Sequence, residues 1–231
     1  MRNLFLKRRN YLLPLIVFLV TTSTFSKRDD NKKASIVQDC SLYEELNLSQ
    51  LGLKQNIFDK AISGWNTFKK QNIEKPNLLS IADLSQSSNS KRLYVIDMVE
   101  KKILFNTYVA HGRNSGEEFA HSFSNKPNSF QSSLGFYLTE NTYQGAHGLS
   151  MKLKGIESGI NDIAEQRGIV MHGAPYVCES FIKENGRLGR SQGCPAVPQE
   201  LCEPIVNSIK GGSCFFMFYP DSSYLKKSVL L

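Results

Sequence analysis

The chain has 231 residues, 41% of them hydrophobic, and a formal net charge of +7, enough apolar content to bury one good core with at most a small appendage. Eight Lys or Arg and two acids in the first 33 residues carry +6 of that charge, so the rest is nearly neutral. A basic leader on a near-neutral body excludes a nucleic-acid surface spread across the fold.

In residues 1–26, Arg2, Lys7, Arg8 and Arg9 precede an apolar run from Tyr11 to Val20, and small polar residues follow. That layout predicts an export signal. The competing reading is a retained membrane anchor, but Tyr11 to Phe25 is 15 residues, short of the roughly 20 that span a bilayer. Residues 27–39 are polar and charged without an apolar period and read as a linker. Ser41-Leu42-Tyr43-Glu44 has the form of a capping box, with Leu42, Tyr43 and Leu46 on one helical face and Gly52 as the breaker. Ile57, Phe58, Ala61, Ile62, Trp65 and Phe68 then draw one apolar stripe along a second helix. The continuity of the stripe makes Trp65 a core residue rather than a sugar-stacking platform, and residues 40–85 read as a helical segment packed on the domain that follows.

After the polar loop Gln86–Ser90 the period shortens. Leu93 to Met98 and Ile103 to Val109, rich in β-branched and aromatic residues, predict a hairpin. Leu134 to Thr139 and Leu149 to Leu153 continue the strand pattern, Ser158 to Gln166 allows a short helix, and a strand closes on His172. Pro198 suits the first turn of a helix that places Leu201, Ile205 and Ile209 inward and stops at Gly211-Gly212. Ser213 to Tyr219 is a last apolar strand, and 220–231 a tail. Many short strands and few helices predict a mainly β (α+β) domain over 91–219, with a β-sandwich as its natural architecture.

The chemistry concentrates between Ile169 and Val197. His172 closes a short apolar run and is followed by Gly173; Cys194 lies in the turn Ser191-Gln192-Gly193-Cys194-Pro195. A free thiol is mostly protonated near pH 7, so a Cys nucleophile needs a neighbouring base or cation. With no side chain at 193, the backbone N–H groups of Gly193 and Cys194 are candidates for an oxyanion hole, and Ser191 for orienting the loop through its hydroxyl. The alternative for Cys194 is a disulfide; Cys40, Cys178, Cys202 and Cys214 are available partners, and the odd count of five leaves at least one thiol over. His111, His121 and His147 show neither close spacing nor a Cys-x-x-Cys knuckle, so no metal site is expected.

His172-Gly173 together with Ser191-Gln192-Gly193-Cys194 resembles the His-Gly and Ser-x-Gly-Cys signature of the YkuD-type murein L,D-transpeptidases. The likeness extends through Phe123-Ser124-Asn125, Ser132-Ser133-Leu134-Gly135, Thr142-Tyr143-Gln144-Gly145 and His147-Gly148-Leu149-Ser150. The resemblance implies the β-sandwich fold and acyl transfer through a thioester on Cys194, with His172 as base and no cofactor. The partner would be a peptidoglycan stem peptide, cut after its third residue with release of D-alanine. An acceptor amine gives transpeptidation; water gives an L,D-carboxypeptidase. A binding module that keeps the fold with Cys194 oxidised is the non-enzymatic alternative. Many relatives carry His before Gly-Cys and Arg two places after the Cys, where this chain has Gln192 and Ala196. A substrate carboxylate must then find another cation, for which Arg190 and Arg187 are candidates; Tyr143, His147 and Gly173 are further candidates for the substrate cleft. Such a substrate lies in the periplasm or cell envelope, with membrane contact only through the N-terminal segment if it is not cleaved.

Overall fold

The computed structural model describes residues 42–70 and 77–231. The expected export signal or anchor at 1–26, the linker at 27–39 and Cys40 lie outside the described residues.

Residues 42–45 make a helical turn that ends well before Gly52, where φ is +89°. The Tyr43 hydroxyl donates to the Leu53 carbonyl at 2.6 Å, closing this opening segment around buried Leu48 and Leu53. Helix α1 (Gln55–Lys69) follows, and all six residues of the expected apolar stripe are buried along it. Gly64 belongs to the same face. A Cβ there would fall 2.1 Å from Cζ of Phe136, whose ring stacks on Phe216 at 4.1 Å and meets Phe68 at 6.3 Å. Alanine ordinarily gains about 1 kcal/mol over glycine inside a helix. Here the Phe136 ring is held on its other sides and has nowhere to retreat. Gly64→Ala is therefore expected to destabilise by about 1–3 kcal/mol, seen as a lower thermal midpoint; an unchanged or higher midpoint would contradict this packing.

The strands are β1 (Leu78–Asp83), β2 (Leu93–Asp97), β3 (Lys102–Thr107), β4 (Gly135–Gly145), β5 (Gly148–Gly155), β6 (Val170–Ala174), β7 (Ala196–Pro198) and β8 (Cys214–Phe218). They hydrogen-bond into one eight-stranded sheet in the order β3-β2-β1-β8-β4-β5-β6-β7. Only the β1–β8 and β6–β7 pairs are parallel; the rest are antiparallel. The mainly β class expected from the sequence is the observed one, and the β2–β3 hairpin forms as expected. Period-two alternation along β8 explains the two cores: Cys214, Phe216 and Phe218 face the layer that holds α1, whereas Phe215 and Met217 face helix α3 (Gln199–Ile209). Short α2 (Glu179–Asn185) and α4 (Ser222–Lys227) complete the fold.

Three expectations are corrected. Residues 40–85 are not a purely helical segment, because β1 is an interior strand between β2 and β8. Five of its six residues are buried; a strand covered on both faces has no apolar-polar alternation to betray it. Residues 158–166 form successive turns rather than a helix. There Asn161 uses its side chain on backbone, donating to the Leu134 and Phe136 carbonyls at 3.0 and 2.9 Å and accepting from the Glu157 N–H at 2.9 Å, the competition that disfavours Asn inside helices. The C-terminal residues are no loose tail: Tyr224 is buried, and its hydroxyl donates to Glu157 at 3.3 Å. Among the described residues, no helix is long and apolar enough to cross a membrane.

Candidate active site

Strand β6 positions the histidine by simple alternation. Met171 and Gly173 point to the α3 side, where Met171 joins the core and a Cβ on Gly173 would lie 3.0 Å from Cys202 and Gln199. Val170 and His172 therefore point the other way, into a cleft of about 520 Å³ that Cys194 also lines. His172 pairs in register with Ser150 of β5 and Ala196 of β7, so the residue two places after Cys194 lies beside it. The 24 positions between His172 and Ala196 collapse into neighbouring strands. Gly173 is thus a packing glycine under α3, which corrects its reading as a cleft residue.

The imidazole is oriented by backbone. His172 Nδ1 lies 2.9 Å from the Gly173 carbonyl oxygen; that oxygen can only accept, so Nδ1 carries the hydrogen and Nε2 is left as the basic nitrogen. The exposed ring of His147 stacks on His172 with centroids 4.6 Å apart and planes 24° apart. Burial pushes the His172 pKa below its ordinary 6.5; the Gly173 carbonyl opposes this and His147 adds to it.

Cys194 is half-buried, and its thiol donates to the Gly168 carbonyl at 3.6 Å rather than to His172. Burial raises its pKa; the N–H groups of Val170 and of Cys194 itself, together with the Arg167 charge, pull the other way. Cys178, Cys194, Cys202 and Cys214 are all free thiols, and the last two are buried in α3 and β8.

The Gly193 N–H expected to face an oxyanion is turned to Ser191 in this structure. It donates to Ser191 Oγ at 3.0 Å and the Gly193 carbonyl accepts from Ser132 Oγ at 3.1 Å, so both backbone groups are occupied. Ser191 Oγ in turn donates to the Cys194 carbonyl at 2.6 Å, tying the turn together as a loop support. Glycine is required at 193 for another reason: φ is +124°, and a Cβ would sit 2.8 Å from the Gln131 carbonyl.

The candidate cations are also redistributed. Arg190 lines the cleft but gives Nη1 to Glu117 at 2.6 Å and to the Gly116 and Arg113 carbonyls. Arg187 pairs with the other oxygen of Glu117 at 2.8 Å and does not line the cleft. Both therefore share the charge of Glu117, which sits between them. Two arginines that the sequence did not single out also line the cleft. Arg113 is exposed, its guanidinium 4.1 Å over the Phe130 ring, and Arg167 lies in the turn before β6. Their signal in the sequence is faint: each is one Arg beside a glycine, in Gly112-Arg113 and Arg167-Gly168. Tyr143 and His147 do line the cleft, whereas His111 and His121 do not. The lining holds three arginines and no carboxylate, a surface suited to an anionic ligand. Among the described residues, no three His, Cys, Asp or Glu side chains cluster as a metal site would need.

A mainly β protein with a free thiol and an imidazole facing one cationic cleft is, as a class, a candidate for thiol chemistry on an anionic substrate. The family is narrower: the chain belongs to the L,D-transpeptidase catalytic domain family, whose model matches residues 49–218. Among solved structures, it is similar to an L,D-transpeptidase from Mycobacterium smegmatis, at 12% identity and a TM-score of 0.39, covering 62% of this chain and 59% of that one. It is similar also to an Enterococcus faecium L,D-transpeptidase (11% identity, TM-score 0.39, 62% and 50% covered). A third is L,D-transpeptidase 3 from Mycobacterium tuberculosis in complex with a faropenem-derived adduct (14% identity, TM-score 0.38, 62% and 60% covered). The chain thus spans between half and three-fifths of the length of these structures. No curated protein matches it.

Proposed function

We propose that this protein is a peptidoglycan L,D-transpeptidase in which Cys194 carries the acyl group and His172 moves its proton. The observation that carries the reading is the shared cleft, in which a free Cys194 thiol and a His172 with an available Nε2 stand among arginines and without a carboxylate. Membership of the family supports it. A stem peptide brings free carboxylates, which a lining with arginines and no carboxylate attracts.

In this reading the Cys194 sulfur attacks the carbonyl carbon of the third residue of the stem, and the thiol proton passes to His172 Nε2. The C–N bond then breaks, His172 returns the proton to the departing D-alanine amine, and a thioester remains. An acceptor amine attacks the thioester carbonyl; its proton travels through His172 to the leaving sulfur, which restores the thiol and releases the new amide. Burial disfavours both charged forms, lowering His172 and raising Cys194. The resting pair is therefore neutral, and the proton moves during attack.

That has a consequence for pH. With His172 lowered by burial, the acid limb of kcat/KM for acylation is expected at lower pH than an ordinary imidazole would give. His147→Ala uncovers the ring and removes a like charge, both of which raise His172, so the limb should move toward higher pH. A limb that stays put, or moves down, would show that the stacked ring does not act on the base.

The direct test is mass spectrometry of the protein mixed with a carbapenem or a stem tetrapeptide, where an adduct mapped to Cys194 is expected. Purified muropeptides then distinguish the outcomes: crosslinked dimers indicate transfer, and tripeptide alone indicates an L,D-carboxypeptidase. An adduct mapped elsewhere, or Cys194 found in a disulfide in the non-reduced protein, overturns the reading. Peptidoglycan lies outside the cytoplasmic membrane, so this function also requires export. Protein from the envelope fraction is expected to start near Lys27; an intact Met1 with extraction only by detergent would indicate a retained anchor.

A further inference from the structure

Arg167 differs from Arg190 in how its charge is met. Nη1 donates to the Ser124 carbonyl at 2.7 Å and to Ser133 Oγ; Nη2 donates to the Gln131 carbonyl at 2.7 Å and to Ser129 Oγ at 3.1 Å. All four acceptors are neutral. They hold the guanidinium in place without cancelling its charge, and among the described residues no carboxylate pairs with it. Arg190 and Arg187, by contrast, share Glu117. Nη2 of Arg167 stands 3.5 Å from the point a Cβ on Gly193 would occupy, against the turn that presents the nucleophile. The neighbouring Gly168 carbonyl accepts from the Cys194 thiol, so one turn holds both the cation and the acceptor.

We propose that Arg167 is a positioning residue whose fixed, unneutralised guanidinium favours the thiolate of Cys194. The inference rests on Cys194 being the nucleophile. It fits the remaining geometry, since His172 is not hydrogen-bonded to the resting sulfur, and a half-buried thiol needs some opposite charge near it to ionise. The interaction is reciprocal, as it must be: each group favours the charged form of the other. A cation tied to neutral groups keeps its full field, whereas one paired with a carboxylate presents little net charge to a third group.

The test reads the thiol without relying on transpeptidation. The rate of alkylation by iodoacetamide, in which the thiolate displaces iodide and an S–C bond forms, is followed across pH with the label mapped to Cys194 by peptide mass spectrometry. Arg167→Gln is expected to shift the pH midpoint to the alkaline side and to slow labelling at pH 7 roughly ten-fold, the effect of one opposite charge at close range. Arg167→Lys keeps the charge but not the four hydrogen bonds, and should retain most of the wild-type rate. Equal slowing in both variants would show a purely structural role and overturn the proposal; so would no slowing in either. If Arg167→Gln does not fold, the wild-type protein answers by NMR: the Arg167 Nε–H resonance should titrate with the midpoint of the thiol and cease to do so in Cys194→Ser. A resonance indifferent to Cys194 overturns the proposal. A normal thiol titration with no acyl adduct would count against the transpeptidase reading alone.

Discussion

Cys194→Ala is expected to form no adduct with a carbapenem or stem peptide and to lose turnover by a factor on the order of 10⁴ or more, as removal of a covalent nucleophile does. His172→Gln should retain the thiol yet lower the acylation rate by about 10²–10⁴, the usual share of a positioned general base. The two effects should not add, because the nucleophile and its base act in one step. Intact-protein mass spectrometry and muropeptide turnover measure both. Persisting adduct and full turnover in Cys194→Ala would end the proposed mechanism; wild-type acylation in His172→Gln would leave Cys194 in place and remove His172 from it.

Stability is expected to fall by about 2 kcal/mol between pH 7 and pH 5 through His111 alone. His111 and Arg92 are buried, and Arg92 Nη2 donates to His111 Nδ1 at 2.8 Å. That bond requires an unprotonated Nδ1, with Nε2–H directed to the Gly116 carbonyl at 3.3 Å. Burial, and then the Arg92 charge, push the His111 pKa from 6.5 down to about 3. Between those values the unfolded chain binds a proton that the folded chain refuses, so stability falls as pH drops through the window. The cost is not confined to the core, because the His111 carbonyl accepts from the Ser191 N–H at 3.0 Å and the same segment therefore anchors the turn that carries Cys194. His111→Asn can keep an acceptor for Arg92 without the titration. Thermal midpoints at the two pH values should converge in that variant; an equal acid loss would assign the effect to other groups.

Much of the fold was legible along the chain. The apolar stripe of α1 and the β2–β3 hairpin are local patterns, and α1 buries the face its period announces. β1 carries no alternation because it is covered on both faces, and 158–166 is turns rather than helix because Asn161 bonds to the Leu134 and Phe136 carbonyls some 25 residues away.

The same division runs through the site. Sequence by itself determined the family and the two residues on which the chemistry is staked, because a His-Gly pair and a Ser-x-Gly-Cys turn are contiguous words whose residue types are tied to their chemistry. Only the tertiary structure decided what surrounds them. Alternation on β6 sends His172 into the cleft and Gly173 under α3, a choice set by which face α3 covers. The Gly193 N–H goes to Ser191 and the Arg190 charge to Glu117, partners that their positions in the sequence do not announce. Arg167 comes to stand beside Cys194 from 27 residues away, held there by four neutral groups of the 124–133 loop. Hydrogen-bond partners and counter-ions are chosen by proximity in space, and spacing along the chain does not encode that choice.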